Sequence, residues 1–125
     1  MTKILIIDDE KPTLSMLRLL LEDAYDFEVF TAESGDAGID LFEKERPSIV
    51  FTDIKMPGIN GLEVHKRLKA IDPEVRVIVM TGHGDQNLTE KALSQGVTAF
   101  IHKPIERQAL EDALNKSTSG LSPGG

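Results

Sequence analysis

Short apolar runs alternate with amphipathic stretches along this chain, and each run stops at a polar residue. The runs are Ile4 to Ile7, Phe27 to Thr31, Ser48 to Thr52, Val75 to Met80 and Val97 to His102. Runs of this length, rich in β-branched residues and bounded by polar ones, predict strands buried on both faces of a parallel sheet. Between them lie the helices. Pro12 suits a first helical turn, where its missing N–H is no loss, and Leu14, Leu17 and Leu21 form one apolar stripe at i, i+3 and i+7. Ser34 is a predicted N-cap for a second helix that carries Leu41 and Phe42 inward and stops at Pro47. Val64, Leu68 and Ile71 mark a third helix after the turn Met56-Pro57-Gly58-Ile59-Asn60-Gly61. Leu88, Ala92 and Leu93 predict a fourth, closed by Gly96 as a left-handed residue, and Leu110, Ala113 and Leu114 a fifth.

Five strand–helix pairs imply an α/β fold, because each crossover is right-handed and lays its helix against the sheet. The expected architecture is a doubly wound (βα)5 domain with a five-stranded parallel sheet. Ligands in such folds bind beyond the carboxyl ends of the strands, near the point where strand order reverses. A chain of 125 residues can bury a single core of this kind. We expect residues 1–116 to form it. The segment 117–125 is polar and Gly-rich, and predicts a flexible tail or the start of a linker.

Composition narrows the function. The chain has no cysteine, which removes disulfides and thiolate metal sites and points to a reducing, cytoplasmic setting. Met1-Thr2-Lys3 runs straight into four apolar residues and two aspartates, too short for a signal-peptide core or a membrane span, so a soluble protein is expected. The formal net charge of -7 argues against direct nucleic-acid contact, since phosphate-backbone binding needs clustered Lys and Arg.

The strand ends carry the chemistry. Asp8 and Asp9 follow the first strand, Asp53 the third, Thr81 the fourth and Lys103 the fifth. The fold brings all of them to one rim. Two like charges about 4 Å apart cost on the order of 4 kcal/mol at an effective dielectric near 20, so a cation must offset three carboxylates. Mg²⁺ suits an all-oxygen site and commonly bridges carboxylates to phosphate, whereas neither cysteines nor paired histidines favour zinc. Asp8, Asp9 and Asp53 are therefore the expected carboxylates around Mg²⁺, with either Asp8 or Asp9 acting partly through water.

Ile6-Ile7-Asp8-Asp9-Glu10, Asp53-Ile54-Lys55-Met56-Pro57-Gly58 with Gly61, Met80-Thr81-Gly82 and Phe100-Ile101-His102-Lys103-Pro104 stand in order at the ends of the predicted strands. In these pieces the chain, over about residues 3 to 116, resembles the receiver domains of two-component response regulators. The resemblance implies a flavodoxin-like sheet with strand order 2-1-3-4-5. It further implies that Asp53 accepts a phosphoryl group from a phosphohistidine on a sensor histidine kinase or phosphotransfer protein. Mg²⁺ would be bound by Asp9, Asp53 and the backbone carbonyl of Lys55, with Asp8 in supporting contact. Such a domain is a signalling module that catalyses only its own phosphorylation and dephosphorylation. The resemblance also makes Phe100 the switch aromatic that reshapes the face of the fourth helix, fifth strand and fifth helix, and makes Lys103-Pro104 a cis peptide. Lys55 and His83, each two residues after a site residue, would border the path of attacking water and tune dephosphorylation. A phosphorylation-driven homodimer stays open.

The residues support those roles physically. Mg²⁺ and the Lys103 ammonium favour the ionised, nucleophilic form of Asp53. Phosphoryl transfer needs positioning and neutralisation of oxygen charge, which Lys103 and the Thr81 hydroxyl can supply. Thr81 can donate to a phosphoryl oxygen and draw its loop inward, vacating space for the Phe100 ring.

Taken singly, Asp8-Asp9 reads as a helix N-terminal charge pair, Asp53 as a turn residue and Lys103 as a solvated charge. Their convergence at strand termini favours the site. His65 and His102 read as packing or surface residues. A phosphatase of the haloacid dehalogenase type would place its nucleophile after the first strand as Asp-x-Asp, but here the two aspartates are adjacent. A flavin module needs a phosphate loop where Asp8-Asp9-Glu10 would repel it. A receiver that signals without phosphorylation is the remaining alternative.

Overall fold

The apolar alternation produces the expected elements with shifts of a residue or two at their ends. A computed structural model describes residues 2–118. In chain order it contains β1 (Thr2–Ile7), α1 (Lys11–Ala24), β2 (Phe27–Ala32), α2 (Gly35–Glu45), β3 (Ile49–Asp53), α3 (Gly61–Ile71), β4 (Arg76–Thr81), α4 (Gln86–Ser94), β5 (Ala99–His102) and α5 (Arg107–Thr118). The five strands form one parallel sheet in the order β2-β1-β3-β4-β5. This is the doubly wound arrangement read from the sequence, and its order reverses between β1 and β3.

Two core clusters occupy the two faces of the sheet, because successive strand side chains point to opposite sides. Ile4, Ile6, Phe51, Ile78 and Ile101 pack with Leu14, Leu17 and Leu21 of α1 and with Leu110 and Leu114 of α5. Leu5, Ile7, Val50, Val77 and Val79 pack with Ile39 and Phe42 of α2, Val64 and Leu68 of α3, and Ala92 of α4. Strands covered on both sides explain why their sequences are apolar throughout rather than alternating.

Local signals place the helices. The Ser34 side chain accepts a hydrogen bond from the Ala37 backbone N–H at 3.1 Å, and Asn60 accepts one from Glu63 at 3.0 Å. Proline disfavours the helical region for the residue before it, and Arg46, preceding Pro47, leaves α2 with φ 50°. Gly96 follows α4 with φ 78°, as its role there requires.

Two expectations change. Leu93 does not join the core but is 60% exposed, while Ala92 is fully buried. Consecutive helical residues lie about 100° apart, and α4 turns only the Leu88 and Ala92 side toward the sheet. Helix α5 also continues past residue 116: Ser117 is buried and its hydroxyl donates to the Ala113 carbonyl at 2.8 Å. The remainder of the expected tail, 119–125, lies outside the described residues. Among the described residues no helix is long and apolar enough to cross a membrane.

Candidate functional site

β1 and β3 are neighbours in the sheet, so Asp8, immediately after β1, and Asp53, the last residue of β3, emerge side by side at the order reversal. Both are buried, at 0% and 7% exposure. Lys103, just beyond the edge strand β5, reaches back across the rim. Its Nζ lies 2.8 Å from Asp8 Oδ2, 3.1 Å from Asp53 Oδ2 and 3.0 Å from Glu10 Oε1. The Lys103–Pro104 peptide bond is cis.

Among the described residues, Asp8, Glu10 and Asp53 form a carboxylate group whose oxygens lie within 4.8 Å of one another. Asp9, also expected among the ligands, is exposed and lies outside this group. The local turn accounts for the closer approach of Glu10. Asp8 Oδ1 accepts the Glu10 backbone N–H at 2.9 Å, and successive side chains on so tight a turn cannot all face one point. Glu10 is a site neighbour that the sequence reading missed, and its place directly after the aspartates was the available signal.

The electrostatics are those of a cation deficit. Burial pushes the Asp53 carboxyl up from its ordinary value and the Asp8 charge adds to this, while the Lys103 hydrogen bond works against both. For Lys103, burial opposes the charge, but hydrogen bonds to Asp8, Glu10 and Asp53 outweigh it and hold the proton more tightly than usual. An isolated ion pair would lower its acid and raise its base, whereas here both move up. One ammonium serves three carboxylates, so the lysine is fully compensated and each acid only in part.

Three formal negative charges against one positive leave an excess of two among Asp8, Glu10, Asp53 and Lys103. The donor set is entirely carboxylate oxygen. Both features fit a hard divalent cation and leave no ligand that would favour a soft one.

The remaining predicted residues lie on β4, β5 and the loops after β3 and β4. Thr81 ends β4 and is 1% exposed, whereas Lys55 and His83 stand exposed on the loops after β3 and β4. The Lys55 backbone N–H points toward Asp53 Oδ1 at 3.5 Å, a long contact. Phe100 is half-buried against the cluster that includes Ala92 and Val97. His65 is a packing residue, buried at 3%, and His102 a surface one. Two contacts were not visible in the sequence: buried Asp85 accepts the Gly82 backbone N–H at 2.6 Å, and His102 Nδ1 lies 2.8 Å from the Thr81 hydroxyl.

Gly61 holds the turn after β3 against the site. A Cβ there would stand 2.5 Å from the Asp53 carbonyl oxygen and 2.8 Å from Ile54 Cα, backbone atoms that cannot rotate away. Gly61→Ala is expected to destabilise the domain by about 1–3 kcal/mol, the usual range for overpacking. An unaltered denaturant midpoint would show that the strand end can yield.

A family model for the response regulator receiver domain matches residues 4–115. The chain belongs to that family. Sporulation initiation phosphotransferase F of Bacillus subtilis (strain 168) is 35% identical to this receiver domain over 117 residues, covering 91% of each chain. Transcriptional regulatory protein GlrR of Escherichia coli (strain K12) is 32% identical over 118 residues; that match spans 91% of this chain but only 26% of that protein. A response regulator receiver domain protein from Clostridium thermocellum, at 36% identity, superposes with a TM-score of 0.89 over 95% of both chains. The receiver domain is thus a phosphorelay signalling module of two-component systems.

Proposed function

We propose that Asp53 is the phosphoacceptor, that Mg²⁺ is required, and that the donor is a phosphohistidine on a sensor histidine kinase or phosphotransfer protein. The observation carrying this is the Lys103 ammonium, which bridges Asp53 and Asp8 at the order reversal of the sheet. Such an arrangement presents one carboxylate oxygen as nucleophile beside a fixed positive charge.

The step balances simply. An Asp53 oxygen forms a bond to phosphorus, the phosphorus–nitrogen bond of the donor breaks, and the imidazole leaves with its electron pair. Reversal of the mark is hydrolysis: water attacks phosphorus and the Asp53 carboxylate departs. Asp53, Asp8, Asp9 and the Lys55 carbonyl would hold Mg²⁺, with Glu10 near enough to share in compensating it. When bound, the ion neutralises the two excess negative charges and the equatorial oxygens of the transferring group. Lys103 contributes its charge to the same oxygens. Thr81 donates its hydroxyl to the phosphorylated state, and Phe100, half-buried beside α4, moves with the loop that follows β4, changing the face of α4, β5 and α5.

Exposure to acetyl phosphate with and without Mg²⁺, followed by peptide mass mapping, tests this. One phosphoryl group on Asp53 in the Mg²⁺ sample alone is expected. Steady turnover of free phosphate esters would favour the phosphatase class instead. For decay, replacing Lys55 and His83 together with Ala should change the acyl phosphate half-life by roughly tenfold, about 1.4 kcal/mol in barrier. Equal half-lives would remove those two residues from the reaction.

A further inference from the structure

Thr81 sits on β4, flanked by β3 on one side and β5 on the other. Its register partner on β5 is His102, while Asp53 on β3 pairs with the preceding residue, Met80. A threonine χ1 has three staggered wells, so the hydroxyl can face one flank or the other but not both. Here it faces His102, with Oγ1 and Nδ1 2.8 Å apart.

We propose that His102 is a positioning residue that holds the Thr81 hydroxyl away from Asp53 in the unphosphorylated domain and so sets how readily the switch turns. The inference rests on the reading of Asp53 as phosphoacceptor and of Thr81 as its hydrogen-bond donor. With Nδ1 as acceptor, the single hydroxyl proton of Thr81 is committed to the imidazole. Donation to a phosphoryl oxygen requires breaking that bond. His102 is exposed, and beside it lies a cavity of about 440 Å³ lined by Thr81, His83, Glu90, His102 and Lys103. Water there can take over Nδ1 when Thr81 turns, so the cost of release is one hydrogen bond rather than a stranded buried acceptor.

The loop after Thr81 is held in the same state by a second contact, from the Gly82 N–H to Asp85 Oδ2 at 2.6 Å. Drawing that loop inward works against this bond, whereas turning the Thr81 hydroxyl works against the one that His102 supplies.

Titration with beryllofluoride in the presence of Mg²⁺, followed by NMR through the backbone amide signals of Lys55 and Gly82, which every variant retains, reads this equilibrium. His102→Phe keeps a ring but removes the nitrogen, and should lower the half-saturating concentration by about threefold to tenfold, the worth of one neutral hydrogen bond. His102→Asn restores a polar atom near the Nδ1 position and should return the value toward that of the parent chain. In a Thr81→Val background, which lacks the hydroxyl, His102→Phe should have no further effect. An unchanged midpoint in His102→Phe, with the same result in His102→Ala, overturns the proposal, as does a shift that persists with Thr81→Val. If beryllofluoride leaves the parent chain unperturbed, the phosphoacceptor reading fails and this one with it, a failure visible before any His102 variant is made.

Discussion

Asp53→Asn should take up no phosphoryl group from acetyl phosphate and, in chelator at neutral pH, should unfold at a higher temperature than the parent chain. The second effect follows from the crowding of Asp8, Asp53 and Glu10 around a single ammonium. Removing one buried carboxylate relieves repulsion while the amide oxygen can still accept from Lys103. A gain on the order of 1 kcal/mol would raise the midpoint by roughly 3–6 °C in a domain of this size. The sign of the pH dependence is fixed by the direction in which Asp53 titrates. Burial, then Asp8, push its folded value above the ordinary 3.8. Folding therefore favours its protonated form, and the parent's stability falls as pH rises from the ordinary value through the raised one. The advantage of Asp53→Asn should be largest above that window and should shrink below it. Melting curves across acid and neutral pH decide the matter; an equal gain at every pH would mean that the substitution acts by some route other than charge.

Lys103→Met should have the opposite sign and a larger size. It strips the counter-ion from Asp8 and Asp53, whose side chains are 0% and 9% exposed, while the partly exposed Glu10 can retreat into water. Leaving buried carboxylates unpaired costs about 3–5 kcal/mol when burial is complete, and the partial exposure of Lys103 here brings the expectation to about 2–3 kcal/mol. The deficit should narrow as pH falls, because protonation removes the repulsion, and should narrow again when Mg²⁺ is added at neutral pH. Denaturant titrations at two pH values, with and without Mg²⁺, check both. A loss that ignores pH and Mg²⁺ alike would assign Lys103 a packing role. Phosphorylation should also slow sharply, since the transferring oxygens lose their only nearby ammonium among the described side chains of the cluster.

Most of the fold was legible because its determinants are local. Five apolar runs and the Leu14, Leu17 and Leu21 stripe name their own period, and Ser34, Pro47 and Gly96 punctuate them. Leu93 is the exception, since an apolar residue beside a stripe reads like a member of it. Only the angle at which α4 meets the sheet shows that Leu93 faces outward.

The candidate site divides along the same line. Residue order alone assigned Asp8, Asp53, Thr81 and Lys103 to one rim, because parallel strands joined by right-handed crossovers deliver all their carboxyl ends to the same edge. Which side chains meet on that rim was decided in three dimensions. Lys103 bonds to Asp8 across 95 positions of sequence and to Asp53 across 50, and it is exposed Glu10, not Asp9, whose carboxylate oxygen lies within 4.8 Å of theirs. The pairing of Thr81 with His102 comes from the register of β4 on β5. Periodicity specifies the face on which a side chain lies; its partner is set by strand register and by the shape of the loops, neither of which a local pattern contains.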